Sequence, residues 1–201
     1  NIFLDGKFAF GLSLSALAAT GLASGQTLSL AQIETIIKKE ELAKLQDAAM
    51  RFLNWRPRSE KEVRDYLVKR IAKRENIKFH EAQESPLITK IVAKLKRYKF
   101  IDDRQFAKWF IDSRTRLNTK SARLISFELK SKGIDREIIE TVIKKAPKEV
   151  DLAERAVAKK IKRWQKMPEV QFKKKLYQFL LLRGFDYDTV KELFAYYAKR
   201  R

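Results

Sequence analysis

Two adjacent carboxylates, Asp102 and Asp103, are the residues whose type and spacing come nearest to catalytic chemistry. A carboxylate pair is a frequent ligand set for the divalent cation of a nuclease. The same pair also suits the start of a helix, because a short carboxylate accepts hydrogen bonds from the unpaired N–H groups of the first turn. An apolar stripe with helical spacing, Phe106, Ala107 and Phe110, follows at once, so we interpret the pair as a helix cap.

The other residue types that carry chemistry form no catalytic constellation. His80, the single histidine, lies in a polar segment beside Glu81 and Glu84 and is interpreted as solvated surface. The chain has no cysteine, which removes disulfides, thiolate metal ligands and cysteine nucleophiles and fits a reducing compartment. Glycine-rich phosphate loops and the Gly-x-Ser-x-Gly and His-Glu-x-x-His motifs are absent from the sequence. We therefore predict a cytoplasmic protein that is not an enzyme and needs no cofactor or metal.

The chain is strongly basic, and its charge is unevenly distributed. Its net charge is +20 and its pI is about 10.1. Residues 1–45 contain as many anions as cations, so the whole excess falls on residues 46–201. A field of this sign attracts polyanions. The sequence thus predicts different roles for the neutral N-terminal part and for the basic remainder, with a nucleic acid or nucleoprotein as the partner of the latter.

Basic side chains cluster in two stretches, between residues 104 and 132 and between residues 159 and 183. Such clusters are often only solvated surface, but the excess of charge here is too large for that default. We predict that these cations bind the partner or DNA: Arg104, Lys108, Arg114, Arg116, Lys120, Arg123, Lys130, Lys132, Lys159, Lys160, Arg163, Lys173, Lys174, Lys175 and Arg183. Replacing Arg114 or Arg123 with alanine is expected to weaken partner binding and to leave folding intact.

The aromatic residues have two interpretations. The phenylalanines at helical spacing are predicted to be core residues, because they fall on apolar stripes. Trp55, Trp109 and Trp164 fit these stripes less well. Packing between helices is the favoured interpretation for all three, and contact with a partner or stacking on a base is the alternative.

The elements that would position these residues are almost all helical. Gly and Pro number only 6 and 4, while Lys, Glu, Leu, Ile and Ala are common, which favours helix. Asp5-Gly6 between two short apolar runs predicts a β-hairpin. Ser29, with Gln32 three residues on, predicts the start of a helix, and a separate helix is predicted over 42–53. No stretch of the sequence reaches the roughly 18–20 apolar residues of a membrane span.

The stretch from Asp102 to Ile143 predicts a compact three-helix unit. Gly133 ends the second helix, because glycine enters the left-handed conformation without a Cβ clash. Asp135 then caps the third helix, and Pro147 follows its end. The unit is a small apolar core surrounded by cations.

This three-helix unit is repeated along the chain. The segment 129–135 matches 180–186 at an offset of 51, and we expect the two units to superpose without a gap. An earlier unit fits with a polar insertion near residues 72–86. We predict a mainly α fold of three tandem three-helix repeats, elongated and preceded by a small hairpin-and-helix module. The expected divisions are residues 1–41 for the module and 42–101, 102–148 and 149–201 for the three repeats.

These residues resemble the RecX family, the regulators of the RecA recombinase. The second unit resembles the central repeat of the family, and the third resembles the closing repeat. The N-terminal segment Asn1–Gly11 is similar to the strand-forming extension of members from Gram-positive bacteria. The motifs that carry the resemblance are Asp102-Asp103 followed by Phe106-Ala107, then Phe110 and Arg114, Leu129-x-x-Lys132-Gly133-Ile134-Asp135, and Leu180-x-x-Arg183-Gly184-Phe185-Asp186. The first unit departs from the family pattern, since it lacks the short glycine turn after its second helix.

The resemblance implies a non-enzymatic protein that lies along the RecA filament on single-stranded DNA and inhibits the recombinase. It also implies a monomer that binds single- and double-stranded DNA more weakly on its own and has no membrane partner. A direct DNA- or RNA-binding protein remains the alternative, because three-helix units with a basic helix resemble helix-turn-helix domains. A nuclease acting through the Asp pair is a third, less favoured hypothesis.

Overall fold

A computed structural model describes residues 1–116 and 119–200 of the chain. The architecture is mainly helical, as the sequence predicts, with one small hairpin at the start. The elements in chain order are β1 (Ile2–Leu4), β2 (Lys7–Phe10), α1 (Leu14–Thr20), α2 (Leu30–Asn54), α3 (Glu60–Glu75), α4 (Phe79–Gln83), α5 (Pro86–Arg97), α6 (Asp103–Arg116), α7 (Ala122–Ser131), α8 (Arg136–Ile143), α9 (Glu149–Trp164), α10 (Glu169–Leu181) and α11 (Tyr187–Ala198).

These elements form two compact units. The first unit contains residues 1–56 and 62–101, and the second contains residues 57–61 and 102–201. The residues that begin α3 therefore belong to the second unit, while most of α3 belongs to the first.

The first unit opens with the predicted hairpin. Strands β1 and β2 are antiparallel, with Leu4 paired to Lys7. Both turn residues have positive φ, 49° at Asp5 and 79° at Gly6. This is the conformation that a tight two-residue hairpin requires and that Asp-Gly readily adopts. The prediction at Asp5-Gly6 is confirmed.

A buried carboxylate joins α1 to α2. The Glu40 side chain is almost fully buried and accepts hydrogen bonds from the Ser13 N–H at 3.0 Å and the Ser13 hydroxyl at 2.9 Å. Burial by itself raises the pKa of Glu40, but the bonds from Ser13 and the ammonium of Lys44 outweigh it and hold the pKa below its ordinary value. The charged form is thus the one that the fold stabilises.

Helix α2 corrects the prediction of two separate helices. Its start at Ser29 is as expected, because Ser29 and Gln32 form a reciprocal capping box. The helix then continues to Asn54, across the expected boundary between residues 41 and 42. Residues 38–47 are good helix formers without Gly or Pro, and the buried stripe runs on from Ile36 to Leu45, so nothing interrupts the helix.

The core of the first repeat lies among α2, α3, α4 and α5. Leu67 and Ile71 of α3 and Ile91 of α5 are fully buried there. The polar segment 72–86 contains the short helix α4, whose Ala82 is also buried in this core. The insertion is therefore partly structured rather than a plain loop.

The second and third repeats have separate apolar cores in the second unit. Phe106, Ile125 and Leu129 are buried in the second repeat, formed by α6, α7 and α8. Phe172 and Leu180 are buried in the third, formed by α9, α10 and α11. Two three-helix bundles are thus present, formed by α6–α8 and by α9–α11.

The offset of 51 holds only for the later part of each repeat. Gly133 and Gly184 both have φ near +80°. The N–H groups of Ile134 and Phe185 close the same turn, on the carbonyls five residues earlier. The offset would start α9 at Glu154, but α9 starts at Glu149. The expected superposition without a gap is therefore wrong over the first helix, because α10 is 13 residues long and α7 only 10.

Two similar sets of hydrogen bonds lie within the second unit. In the first set, the Ser59 hydroxyl donates to the Lys132 carbonyl at 2.8 Å. The carboxylate of Asp103, at the start of α6, accepts the N–H of Glu60 at 2.9 Å. The first residue of α6 thus caps the start of α3.

The second set uses equivalent positions. The Ser121 N–H donates to the Arg183 carbonyl at 3.0 Å. The carboxylate of Glu149, at the start of α9, accepts the N–H of Ala122 at 3.2 Å. A Cβ built on Gly184 would lie 2.6 Å from the Ser121 hydroxyl oxygen, so the backbone approaches this helix start as closely as only glycine permits.

Replacing Gly184 with alanine tests this close contact. The left-handed conformation alone costs about 1–2 kcal/mol, and the clash with Ser121 and Leu124 adds a further ~1–3 kcal/mol. Gly21→Ala is the matched control, since Gly21 also has positive φ but has nothing within 4 Å of its Cβ position. Denaturant unfolding should show Gly184→Ala to be the more destabilising variant. Equal losses of unfolding free energy in the two variants would show that the close contact between Gly184 and Ser121 does not affect stability.

Candidate partner-binding surface

Asp102 and Asp103 cap two different helices. The Asp102 carboxylate accepts the N–H groups of Arg104 at 2.8 Å and Gln105 at 3.0 Å, and so caps α6. Asp103 caps α3 through the N–H of Glu60. Within residues 1–116 and 119–200, no group of three or more His, Asp or Glu side chains is arranged to hold a metal ion. The geometry of the pair therefore supports the capping interpretation.

The fifteen predicted binding cations divide into two groups by exposure. Four are half-buried: Arg114, Lys120, Lys132 and Arg183. Eleven are exposed: Arg104, Lys108, Arg116, Arg123, Lys130, Lys159, Lys160, Arg163, Lys173, Lys174 and Lys175. The exposed group is the one whose charge is accessible to a large partner.

Two of the half-buried cations converge on one carboxylate. Arg114 Nε lies 2.9 Å from Glu128, Lys120 forms a second ion pair with the same side chain, and the Arg114 guanidinium lies 4.6 Å from the Phe110 ring centroid. Burial by itself raises the pKa of Glu128, but the hydrogen bonds and charges of Lys120 and Arg114 outweigh it and hold that pKa below its ordinary value. Arg114 on α6 and Lys120, just before α7, thus hold α6 and α7 together. Unlike the prediction from the sequence, we therefore expect Arg114→Ala to cost stability as well as charge.

The exposed face of α7 carries a cation, an aromatic ring and a second cation. Arg123, Phe127 and Lys130 are spaced i, i+4 and i+7, which places them on one side of the helix. Phe127 is 69% exposed. Phe127 was not among the predicted binding residues, although its position outside the stripe of Ile125 and Leu129 marks it as an exposed side chain.

Arg123 also acts within the second unit. Its charge favours the ionised forms of Glu149 and Asp186. Burial is the main cause that raises the pKa of the Glu149 carboxyl, and Arg123 opposes it. Part of the Arg123 charge is therefore offset at the junction between the second and third repeats.

The cations of the third repeat lie on α9, α10 and the turn after α10. Lys159, Lys160 and Arg163 are exposed along α9. Lys173 to Lys175 are exposed on α10, and Lys173 Nζ lies 5.6 Å from the Phe194 ring centroid. These side chains give the third repeat a basic surface on two of its helices.

The three tryptophans differ in their environments. Trp164 is 5% exposed and packs edge-on against Phe179, while Trp109 is half-buried beside Phe106. Trp55 is 85% exposed. The expectation of packing between helices is therefore wrong for Trp55, which follows the end of α2 at Asn54 and is largely exposed.

Within residues 1–116 and 119–200, no helix is both long enough and apolar enough to cross a membrane.

Comparison with known proteins gives one consistent result. The chain matches the models of the three RecX three-helix domains: the first at residues 47–72, the second at 102–143 and the third at 148–194. It is 30% identical over 192 residues to the regulatory protein RecX of Bacillus pumilus, covering 94% of this chain and 69% of that protein. The regulatory protein RecX of Listeria monocytogenes is 33% identical over 193 residues, covering 95% of this chain and 68% of that protein.

Two solved structures have the same fold. A crystal structure of regulatory protein RecX superposes with a TM-score of 0.65 and 25% identity, covering 96% of this chain and 92% of that one. The crystal structure of RecX from Lactobacillus salivarius gives a TM-score of 0.60 and 23% identity, covering 80% of this chain and 98% of that one.

Glu128→Gln tests the structural role of the half-buried cations. Because the pKa of Glu128 is lowered on folding, its ion pairs stabilise the fold above the ordinary pKa of 4.5, and this contribution is lost as the pH falls through the folded-state value. We expect the variant to lose about 2 kcal/mol at pH 7 and less at pH 3. Urea unfolding at both pH values measures this. An equal loss at both would contradict it.

Proposed function

The chain belongs to the RecX family, and from that premise we propose that it binds the filament that the RecA recombinase forms on single-stranded DNA and inhibits it. It acts in the cytoplasm as a monomer that carries out no chemistry of its own. Binding lowers the ATPase, strand-exchange and recombinase activities of the filament. Direct binding to free single- or double-stranded DNA is weaker.

The observation that carries this proposal is the repetition of an exposed basic surface on successive three-helix repeats. The second repeat presents Arg104, Lys108 and the α7 face, and the third presents the cations of α9 and α10. The hydrogen bonds of Ser121 and Glu149 fix one repeat to the next within the second unit. Because the repeats are linked, binding of one repeat raises the effective concentration of the next repeat near the partner. Individually weak contacts therefore give tight binding to a partner that is itself a repeating polymer.

The proposed inhibition follows from bridging. Two repeats that contact neighbouring protomers, or a protomer and the adjacent DNA phosphates, stabilise one filament conformation over another. ATP turnover and strand exchange require the filament to change conformation, and a ligand that binds one conformation better resists that change. The same bridge obstructs the entry of duplex DNA into the filament groove.

Direct nucleic-acid binding is the second candidate function. The net charge of +20 and the eleven exposed cations favour it, because counterion release from phosphates supplies affinity without any protein partner. The two functions differ in one quantity, the ratio of affinities for the filament and for the same DNA without RecA. A large ratio supports the filament modulator, and a ratio near one supports a general DNA-binding protein.

Charge reversal on α6 tests the proposed surface. Arg104→Glu with Lys108→Glu should weaken filament binding at least about tenfold and raise the concentration needed to inhibit the RecA ATPase. Lys39→Glu on the N-terminal part of α2 is the control, since it is also an exposed cation but lies outside the predicted surface. Stoichiometric binding of the unmodified protein without any effect on ATPase or strand exchange would refute the proposed function.

Trp55→Ala tests the exposed ring. A solvent-exposed tryptophan is a frequent anchor of a binding interface, so we expect its removal to weaken filament binding about tenfold without a change in thermal stability. The control is Leu182→Ala, which removes a side chain that is also largely exposed. Titration of labelled filament by fluorescence anisotropy measures both. Indistinguishable affinities of the two variants would remove Trp55 from the interface.

A further inference from the structure

The second and third repeats carry opposite kinds of residue at one equivalent position. Glu128 precedes Leu129, and Phe179 precedes Leu180, in the part of the repeats where the offset of 51 holds. Both side chains therefore leave the second helix of their repeat at the same point, five residues before the left-handed glycine. In one repeat this point is an anion, and in the other it is an aromatic ring.

Cations gather around both residues. In the second repeat Arg114 and Lys120 pair with Glu128, so the carboxylate neutralises part of their charge. In the third repeat the Arg183 guanidinium carbon lies 3.6 Å from the Phe179 ring centroid, and Lys160 Nζ lies 5.7 Å from it. The cations come from different positions in the two repeats, since the offset of 51 places Gln165 and Gln171 where the second repeat has Arg114 and Lys120, but only the second repeat places an acid among them.

The two cations near Phe179 form no ion pair with a described residue. In the described part of the chain, no carboxylate oxygen lies within 4.0 Å of a side-chain nitrogen of Lys160 or Arg183. Arg183 donates one hydrogen bond, to the Phe179 carbonyl at 3.2 Å, which leaves other guanidinium donors for a ligand. Burial lowers the pKa of Arg183, as expected for a half-buried cation without an acidic partner.

We propose that Lys160 and Arg183, positioned by the Phe179 ring, form a binding site for a phosphate group of the nucleic-acid backbone. This deepens the proposed function by naming a DNA contact, and it rests on that function for the filament as its setting. A guanidinium fixed by stacking loses little freedom on binding and presents a planar set of donors that matches phosphate oxygens. Lys159 and Arg163, exposed on the same helix as Lys160, extend the positive field beside the site.

The second repeat has no such site at this position, because Glu128 stands where the third repeat has the Phe179 ring and pairs with Arg114 and Lys120. At this position the cations of the second repeat therefore stabilise the bundle, whereas those of the third repeat are left for a ligand. The chemistry required of the ligand is a phosphodiester, which both single- and double-stranded DNA supply.

The direct test removes the two cations without reversing their charge. Lys160→Gln with Arg183→Gln should weaken binding to a fluorescein-labelled single-stranded oligonucleotide about tenfold and reduce the slope of log K against log salt by about one phosphate contact. Lys191→Gln is the control, an exposed cation on α11 in the same repeat. It should leave the salt slope unchanged. A duplex of the same sequence shows which form of DNA the site prefers.

Two exchange variants test the comparison between repeats. Phe179→Glu installs the acid of the second repeat and should abolish the contribution of Lys160 and Arg183. Glu128→Gln releases Arg114 and Lys120 and should strengthen DNA binding. If Phe179→Glu does not fold, Lys160→Gln alone decides the result, because Lys160 is exposed and its removal leaves the core intact.

The outcomes separate this site from the proposed function. A reduced salt slope on free DNA supports the site even if the RecA ATPase is unaffected by the unmodified protein, and in that case the proposed function fails alone. If Lys160→Gln with Arg183→Gln and Lys191→Gln reduce DNA affinity and the salt slope equally, the site is overturned. Only the overall positive charge of the protein would then attract the DNA. Loss of filament binding with unchanged binding to free DNA would also overturn it and would indicate an acidic protein surface as the ligand.

Discussion

The close contact between a left-handed glycine and the first turn of a neighbouring helix is the constraint on which the second unit depends. A Cβ built on Gly184 would lie 2.6 Å from the Ser121 hydroxyl oxygen and 2.7 Å from the Leu124 Cβ, so only glycine fits at this position. The Glu149 carboxylate, at the start of the third repeat, accepts the N–H of Ala122, which has no partner within α7 because it lies in the first turn. The turn at Gly184 therefore ends α10 and, through the Arg183 carbonyl, joins the third repeat to the start of α7.

This arrangement gives the cations of the chain two different roles. Arg114 and Lys120 form ion pairs with Glu128 and stabilise the second repeat. Arg104 and Lys108 extend from the outer side of α6 and have no such role, since both are exposed. Among the described residues, some cations are therefore paired within the fold and others are exposed to solvent. A count of basic residues does not show which of them are paired and which are exposed.

Features that depend on nearest neighbours along the chain were predictable. The hairpin at Asp5-Gly6, the helix start at Ser29 and the end of α7 at Gly133 each rest on residues within one turn of each other. The fold class and the order of the three-helix repeats followed from apolar spacing and glycine positions. The family resemblance rested on the same local motifs and their order. The partition of the basic residues into paired and exposed sets was not predictable, because Arg114 and Glu128 lie on different helices.

The sequence by itself therefore determined the helical repeats, their glycine stops and the strongly basic character of residues 46–201. Only the tertiary structure decided that α2 is one helix, that Asp103 caps α3 rather than its own helix, and that Trp55 is exposed. The physical reason is the range of the interactions. Caps and apolar stripes act within a few residues, whereas burial and ion pairing depend on which distant segments the folded chain brings into contact.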